Sequence, residues 1–517
     1  RDALDRDRFF DHLWATTEIE PYLDRVIPFE KADLHGEDIP VFTAKPDSQD
    51  LYDSRGNAIP NFLVEAPYQV VRRHINHLGE GDLAWQLWFI NASLASVDGP
   101  DKFTPGFQLP DFATNQKPVP AEEFLKEALR LGESLADQAL VKDGKVNWVG
   151  LTLINESAWT IQASGLDLYS GVPGIALFLA DLGHFSGETR YTTLARQALD
   201  TIRYEVGNLK KVELGMGAFE GWGGLIYLYT QLGALWNEAD LYQEAAEFVA
   251  RLPALIEKDE VYDIIAGSAG TILALLALNQ VYPKPELLDT AVLAGNHLIA
   301  RADQKPGGVA WPSNHKREVF LTGFSHGTAG IAYSLLKLAE ASGEEKFKET
   351  ALAAIGYERH LFSEEHQNWP DLRENGDPEY MVMWCHGASG IALGRLAALP
   401  LVDDSATRQE IEAGLATTIK QGFGYTHSLC HGDLGNLEPL LQANQLFPGE
   451  SYKGALNSIS RAVLDNIREE GPKSGIPLGV ESPGLMSGLA GIGYGLLRLA
   501  APDKVPAVLL LAGPTLK

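Results

Sequence analysis

Cysteine is nearly absent: 517 residues contain two. That excludes a disulfide framework and makes a reducing cytoplasm the expected compartment. Basic residues are scarce as well, 42 Lys and Arg against 69 Asp and Glu, which leaves a formal charge of −27. A surface of that sign repels phosphate backbones and anionic lipid, so nucleic acid and membrane are excluded as main partners. No apolar run reaches the roughly 18–20 residues of a membrane span. "VPAVLLLAG" at 505–513 is too short and reads as a packed C-terminal segment. A secretory signal pattern is missing. So is an initiating methionine: the chain begins at Arg1, as a piece of a longer protein does.

What remains is an ordinary globular composition, 45% hydrophobic and 21% charged, in a chain long enough for two or more domains. The stretch 100–120, "PDKFTPGFQLPDFATNQKPVP", is rich in proline and polar residues and reads as a linker. Residues 1–99 before it carry turn-rich segments such as "GEDIPVFTAKPDSQDLYDSRGN" and a predicted helix pair from about Ala66 to Ser96. No complete active site is recognisable there.

Beyond the linker the chain repeats. The unit is G-x-x-G followed by an apolar run: "SGVPGIALFLADL", "EGWGGLIYLYTQL", "AGSAGTILALLAL", "HGTAGIAYSLLKL", "HGASGIALGRLAAL", "HGDLGNLEPLLQA" and "SGLAGIGYGLLRLA". The leading glycines are Gly171, Gly221, Gly267, Gly327, Gly387, Gly432 and Gly488, spaced 45 to 60 residues apart. Between the units lie amphipathic stretches, among them 121–140, 238–257 and 451–470, apolar at every third and fourth residue and charged on the other face. A one-faced helix beside an all-round apolar one cannot bury its surface alone and must stack on neighbouring copies. The expectation for 121–517 is an all-α domain: an α/α toroid of seven helical hairpins, with inner and outer rings, preceded by a small mixed N-terminal segment. The paired glycines are read as small residues that let neighbouring inner helices approach where the barrel narrows.

Equivalent positions in a closed repeat share one rim. Just before the leading glycine stand Ser170, Glu220, Ala266, His326, His386, His431 and Ser487. Repeats five and six add a cysteine one residue earlier, giving Cys385-His386 and Cys430-His431. Two thiolates and one imidazole make a soft site for which zinc is the usual ion, and three protein ligands with a fourth position open are the pattern of a catalytic site. Cys385, Cys430 and His431 are the expected ligands. The alternative is a pair of buried, inert thiols. His326, with no cysteine beside it, is left as an acid or base near the metal, or as a histidine merely bonded at a helix start. Asp263, four residues before its glycine, either assists an imidazole or caps its loop; Asp167 has the same offset. His427 is placed either behind the ligands or on the surface.

These residues carry a family resemblance. The seven hairpins with "YDIIAGSAG", "SHGTAG", "WCHGASG" and "LCHGDLG" resemble the lanthionine cyclases over about 121–517. The segment 1–99, with "GEDIPVF" and "LWFINASL", resembles the end of the kinase-like dehydratase domain of class II lanthipeptide synthetases. The resemblance implies one zinc per chain on Cys385, Cys430 and His431, with water or a substrate thiol in fourth place. It implies a leader-bearing precursor peptide already dehydrated at Ser and Thr, and an upstream dehydratase domain as partner. His326 matches the family's acid/base histidine and Asp263 its motif aspartate, and His386 is implied as an aid to proton transfer. The implied product is a lanthionine or methyllanthionine thioether ring. Some stand-alone cyclases carry an Arg four residues before the first zinc cysteine and a Tyr just after it; here Met381 and His386 stand there. Arg373 is a substitute cation by nearness in the sequence. The rivals are an α/α-toroid glycosidase, which needs paired carboxylates rather than cysteines, a zinc prenyltransferase of six hairpins, and a non-catalytic scaffold binding thiols or peptides.

Overall fold

The computed structural model describes residues 3–18, 20–97, 117–155, 158–209, 214–313, 318–373, 377–447 and 452–515. The linker expected over 100–120 lies outside them except for its last four residues. The chain divides into two compact units, Arg1–Ile90 and Asn91–Lys517.

The first unit is small and mixed, as expected. Helices α1 (Ala3–Ala15) and α2 (Ile27–His35) precede a three-stranded antiparallel sheet of two-residue strands, Thr43–Ala44, Leu51–Tyr52 and Ala58–Ile59. Phe10, Val26, Ile27 and Ile59 are its buried apolar residues. The predicted helix pair follows as α3 (Pro67–His77), opened by a proline whose missing N–H has no helical partner to lose, and α4 (Glu80–Val97), within which the division falls.

In the second unit outer and inner helices alternate. They run α5 (Ala121–Asp137) outside, α6 (Val172–Ser186) inside, α7 (Thr189–Gly207) outside and α8 (Trp222–Trp236) inside. Next come α9 (Ala239–Val249) with α10 (Leu252–Ile256) outside, α11 (Ser268–Val281) inside, α12 (Pro285–Arg301) outside and α13 (Thr328–Ser342) inside. The ring finishes with α14 (Glu345–Leu361), α15 (Ala388–Ala398), α16 (Ser405–Gln421), α17 (Asp433–Leu446), α18 (Tyr452–Glu470) and α19 (Leu489–Ala500). Their patterns explain the layering. Twelve successive residues of α6, Val172 to Gly183, are buried, whereas α5 buries one stripe through Phe124, Ala128, Leu131 and Leu135. The outer helix expected over 238–257 is broken after Val249 because Pro253 removes a donor and crowds the preceding turn. Three short antiparallel hairpins decorate the loops, at 140–147, 149–163 and 303–310.

Each inner helix packs on the outer helix that follows it, but α19 has none left to follow. It takes α5, the first, and also packs on α6, so the last repeat meets the first and the toroid closes. The loops leading into the inner helices record the same closure. Two residues before each leading glycine stand Tyr169, Phe219, Ile265, Ser325, Cys385, Cys430 and Met486. Their backbones pass hydrogen bonds around the ring. Tyr169 N–H donates to Phe219 C=O (3.1 Å), Phe219 to Ile265 (2.9 Å), Ser325 to Cys385 (3.3 Å), Cys385 to Cys430 (3.3 Å), Cys430 to Met486 (2.9 Å) and Met486 back to Tyr169 (2.8 Å). At the third repeat the donor shifts by one residue, Ile264 N–H to Ser325 C=O (3.1 Å). The belt encircles the mouth at the N-terminal ends of the inner helices.

The C-terminal segment packs into the other end. Val505 and Val508 to Leu511 are buried, and polar side chains of the inner ring take its carbonyls: Tyr227 Oη and Gln231 Nε2 on Ala512, Tyr494 Oη on Pro506, Arg498 on Pro502 and Val505. Trp384 Nε1 donates to Leu509 C=O (3.2 Å), so the segment reaches up to the residue beside Cys385.

The glycines serve a different contact from the one expected. A β-carbon on the second glycine of each unit meets first the carbonyl oxygen of its own lead-in loop, three residues before the leading glycine, at 1.6 Å for Gly491 and 2.7 Å for Gly224. At six of the seven the neighbouring repeat's loop residue stands close behind, as Leu485 Cβ does at Gly174 (2.5 Å). The loop folds back over the helix start, and only glycine leaves room for it. Gly491→Ala is therefore expected to cost about 3 kcal/mol of stability, the upper range of overpacking, in a urea melt. Gly207→Ala, whose β-carbon meets nothing within 4 Å, is expected to be neutral or slightly stabilising.

Candidate active site

Both cysteines are belt residues, so their neighbourhood is fixed by the backbone. The Cys385 N–H donates to the Cys430 carbonyl, and the two thiols hydrogen-bond to each other. Both are unoxidised and more than nine-tenths buried. The hydrogen bond from Cys430, with the charges of Arg373 and His326, holds the Cys385 thiol below its ordinary value against the cost of burial. Cys430 is pushed well up by the same hydrogen bond and by burial. The two sulfurs are thus driven in opposite directions, Cys385 toward the thiolate and Cys430 away from it.

His431 follows Cys430 on the same turn. Its Nε2 donates to the Gly475 carbonyl (2.9 Å), which sets the tautomer and leaves Nδ1 as the nitrogen with the lone pair. Metal-binding histidines commonly fix their second nitrogen on a backbone carbonyl in this way. Burial lowers the pKa of the ring, so it is neutral, as a ligand must be. Among the described residues no three His, Cys, Asp or Glu side chains are already gathered closely enough to hold a metal. The donor set nevertheless suits a soft divalent ion: two thiols hydrogen-bonded to each other, and an imidazole of fixed tautomer on the adjoining residue.

Asp263 reaches from the third repeat to the fourth. One carboxylate oxygen caps its own loop, accepting from Ala266 N (2.8 Å) and Gly267 N (3.2 Å); the other accepts from His326 Nδ1 (2.7 Å). Asp167 caps Ser170 and Gly171 in the same manner but its partners are all local. The two aspartates with one offset therefore separate: Asp167 shapes a loop, and Asp263 also orients a histidine. The His326 side chain is one-third exposed. Burial pulls its pKa down, but the hydrogen bond and charge of Asp263, with Cys385 and Glu220 behind, carry it above the ordinary value. His386 lies beneath the surface, its ring stacked 6.0 Å from that of His326.

Arg373 grips Asp371 with two nitrogens, and its charge acts on both thiols and on His431. The charge of that cation thus reaches the sulfurs, although its hydrogen bonds go to Asp371. Met381 instead turns its carbonyl to Asn368 Nδ2 (2.9 Å). His427 is fully buried, bonded to Asn466 and Lys473 behind the sixth repeat. Two participants were missed from sequence. Tyr169 donates its phenolic hydrogen to Cys430 across the ring, and burial and the sulfurs keep that proton on at any ordinary pH. Its signal was available, since it occupies the same belt position as the cysteines. Gly475 had none, because it lies outside every repeat motif.

The lanthionine synthetase C-like protein family matches residues 162–510. The Lactococcus lactis subsp. lactis protein named lacticin 481/lactococcin biosynthesis protein LcnDR2 is 23% identical over 493 residues, which cover 92% of this chain and 50% of the relative. The chain thus spans about half the length of that protein. The Danio rerio protein named glutathione S-transferase LANCL1 is 24% identical over 299 residues, 52% of this chain and 67% of its own. Among solved structures, nisin cyclase superposes with a TM-score of 0.54 at 20% identity, over 67% of this chain and 92% of that one, a likeness of fold.

Asp263→Asn removes the charge behind His326 while leaving an oxygen to cap the loop. The His326 pKa is expected to fall below that of the wild type, as followed by histidine NMR titration. An unmoved midpoint would show that Asp263 does not set it.

Proposed function

The chain belongs to the lanthionine synthetase C-like family, and from that premise we propose that it is a zinc-dependent lanthipeptide cyclase. The observation that carries this reading is the thiol pair Cys385/Cys430 on one rim with the Asp263–His326 dyad. Cys385, Cys430 and His431 would hold the ion. Zinc bound there lowers the pKa of a substrate cysteine, making a thiolate available at neutral pH. Everything else falls to the chain's own side chains. The thiolate adds to the β-carbon of a dehydroalanine or dehydrobutyrine; the carbon–sulfur bond forms as the double-bond electrons move toward the neighbouring carbonyl. His326, its Nδ1 proton held by Asp263, presents protonated Nε2 to the α-carbon and completes the thioether. Arg373 supplies positive charge near the sulfurs, and His386 lies close enough to His326 to exchange protons through water. Phe219 of the belt and the buried rings of Trp384 and Phe324, in edge and tilted contact with one another, give the mouth an apolar floor.

The substrate is a dehydrated precursor peptide with its leader. The 493-residue match to a lacticin 481/lactococcin biosynthesis protein about twice as long supports reading residues 1–99 as the end of a dehydratase domain within a bifunctional synthetase. Two free thiols suit a reducing cytoplasm, and among the described residues no helix is long and apolar enough to cross a membrane. The name of the zebrafish relative favours a second reading, in which the activated thiol is that of glutathione.

The test combines metal analysis with turnover. Purified protein is expected to contain one zinc per chain, lost in Cys385→Ala and in Cys430→Ala. Incubation with a dehydrated precursor peptide should block its free thiols without change of mass. His326→Ala should slow that reaction roughly 10²–10⁴-fold, the usual worth of a general acid, with zinc retained. A glutathione adduct in place of rings would favour the second reading, and a zinc-free, inactive wild type would sink both.

A further inference from the structure

The segment after α18 crosses behind the sixth repeat, and its contacts are specific. His427 N–H donates to Lys473 C=O (2.8 Å), and Lys473 N–H donates back to His427 Nδ1 (2.9 Å). Nδ1 is thus the acceptor, and the ring proton sits on Nε2, directed at Asn466 Oδ1 of α18 (3.1 Å). Lys473 and Glu470, paired with each other, are the charged groups facing this ring. Burial and the Lys473 charge keep the imidazole neutral, its pKa pushed down to about 3.

Two residues on, Gly475 bonds to two repeats at once. Its N–H donates to Ser487 C=O (2.7 Å), and its carbonyl accepts from His431 Nε2 (2.9 Å). Ser487 and His431 are the residues just before the leading glycines of repeats seven and six. The approach is so close that a β-carbon on Gly475 would lie 2.2 Å from His431 Nε2 and 2.9 Å from Ser428 Oγ. The two hydrogen bonds between His427 and Lys473 fix where this carbonyl stands.

We propose that residues 473–475, anchored by His427, form a positioning strap for His431: they select its Nε2–H tautomer and so leave Nδ1 as the nitrogen that can bind. His427, Lys473 and Gly475 touch neither substrate nor metal and act only through His431. The strap's purpose rests on the zinc reading above; the tautomer it imposes does not.

The experiment therefore has two readouts. Metal-free protein labelled with ¹⁵N-histidine reports the tautomer, His431 being assigned by the loss of its signal in His431→Asn. Zinc affinity is measured by competition with a chromophoric chelator. The wild type should show the Nε2–H form alone. Gly475→Ala should lose that preference, and zinc affinity should fall about 10–100-fold in both Gly475→Ala and His427→Ala, the usual cost of removing a group behind a metal ligand. His427→Asn, whose side-chain oxygen can replace Nδ1 as the acceptor for Lys473, should recover most of the affinity, which separates positioning from general misfolding. Unchanged tautomer and affinity in Gly475→Ala and His427→Ala would overturn the strap while leaving zinc in place. A wild type with the Nε2–H tautomer but no zinc would overturn the zinc reading and leave the strap standing.

Discussion

The hydrogen-bonded belt at the mouth is the constraint on which the rest of this structure depends. Seven lead-in loops have no regular secondary structure, yet each carries buried N–H and C=O groups that must be paired. They pair with one another, repeat to repeat, until Met486 returns to Tyr169. Each such bond contributes about 1 kcal/mol net, but opening the ring would strand polar groups in an apolar interior at about 1–3 kcal/mol each. Closure is therefore favoured at the mouth as well as between α19 and α5. The loops can fold so tightly because glycine admits their carbonyls against the helix starts.

The chemistry inherits its geometry from this belt. Residues two before the leading glycine face their counterparts in the next repeat, so cysteines in repeats five and six become neighbours though 45 residues separate them. Residues one before it form a second tier, which sets His326 beside His386. Charge is divided around the same mouth. Glu220, Asp167 and Asp263 occupy repeats one to three, where burial and mutual repulsion push the Glu220 carboxyl up, while the charge of Arg373, paired with Asp371, reaches the thiols. The acidic side favours a protonated His326, and the basic side favours a thiolate. One ring thus shifts His326 up and Cys385 down in successive repeats, the separation that the proposed thiol addition requires.

Much of this was legible in the sequence, and the part that was not has a physical reason. Repeats announce themselves through periodicity, so the seven inner helices and their apolar character could be read directly, and the equivalence of Cys385 and Cys430 followed from alignment within the chain. Asp263 and Asp167 could not be told apart, because an offset gives a loop position and not the direction of the second carboxylate oxygen. The role of the glycines was misassigned for a related reason: small residues signal close approach without saying to what, and here the partner is the loop's own carbonyl. Tyr169 was overlooked because a tyrosine among apolar residues looks like core. Gly475 and Lys473 were invisible because what joins them to the site is backbone, and backbone contacts between distant segments leave no mark on residue type.

The position of Cys385 and His386 is secured from beneath by charges that appear far from the chemistry. Arg395 of α15, 2% exposed, bonds Glu358 of α14 (2.8 Å) and Glu410 of α16 (2.9 Å), joining two outer helices through one inner helix. The second oxygen of Glu358 accepts from Gly323 N–H (3.2 Å). Gly323, at φ +100°, lies directly against the Cys385 carbonyl and the His386 α-carbon, where a β-carbon would meet them at 2.8 and 3.1 Å. A buried pair of this kind adds little net stability over an apolar substitute, yet losing one partner costs about 3–5 kcal/mol because the other charge is left stranded. Its value is in geometry. It admits one placement of the Gly323 turn, and that turn admits one placement of the loop above it. The outer helices in this way help decide where a thiol and an imidazole stand.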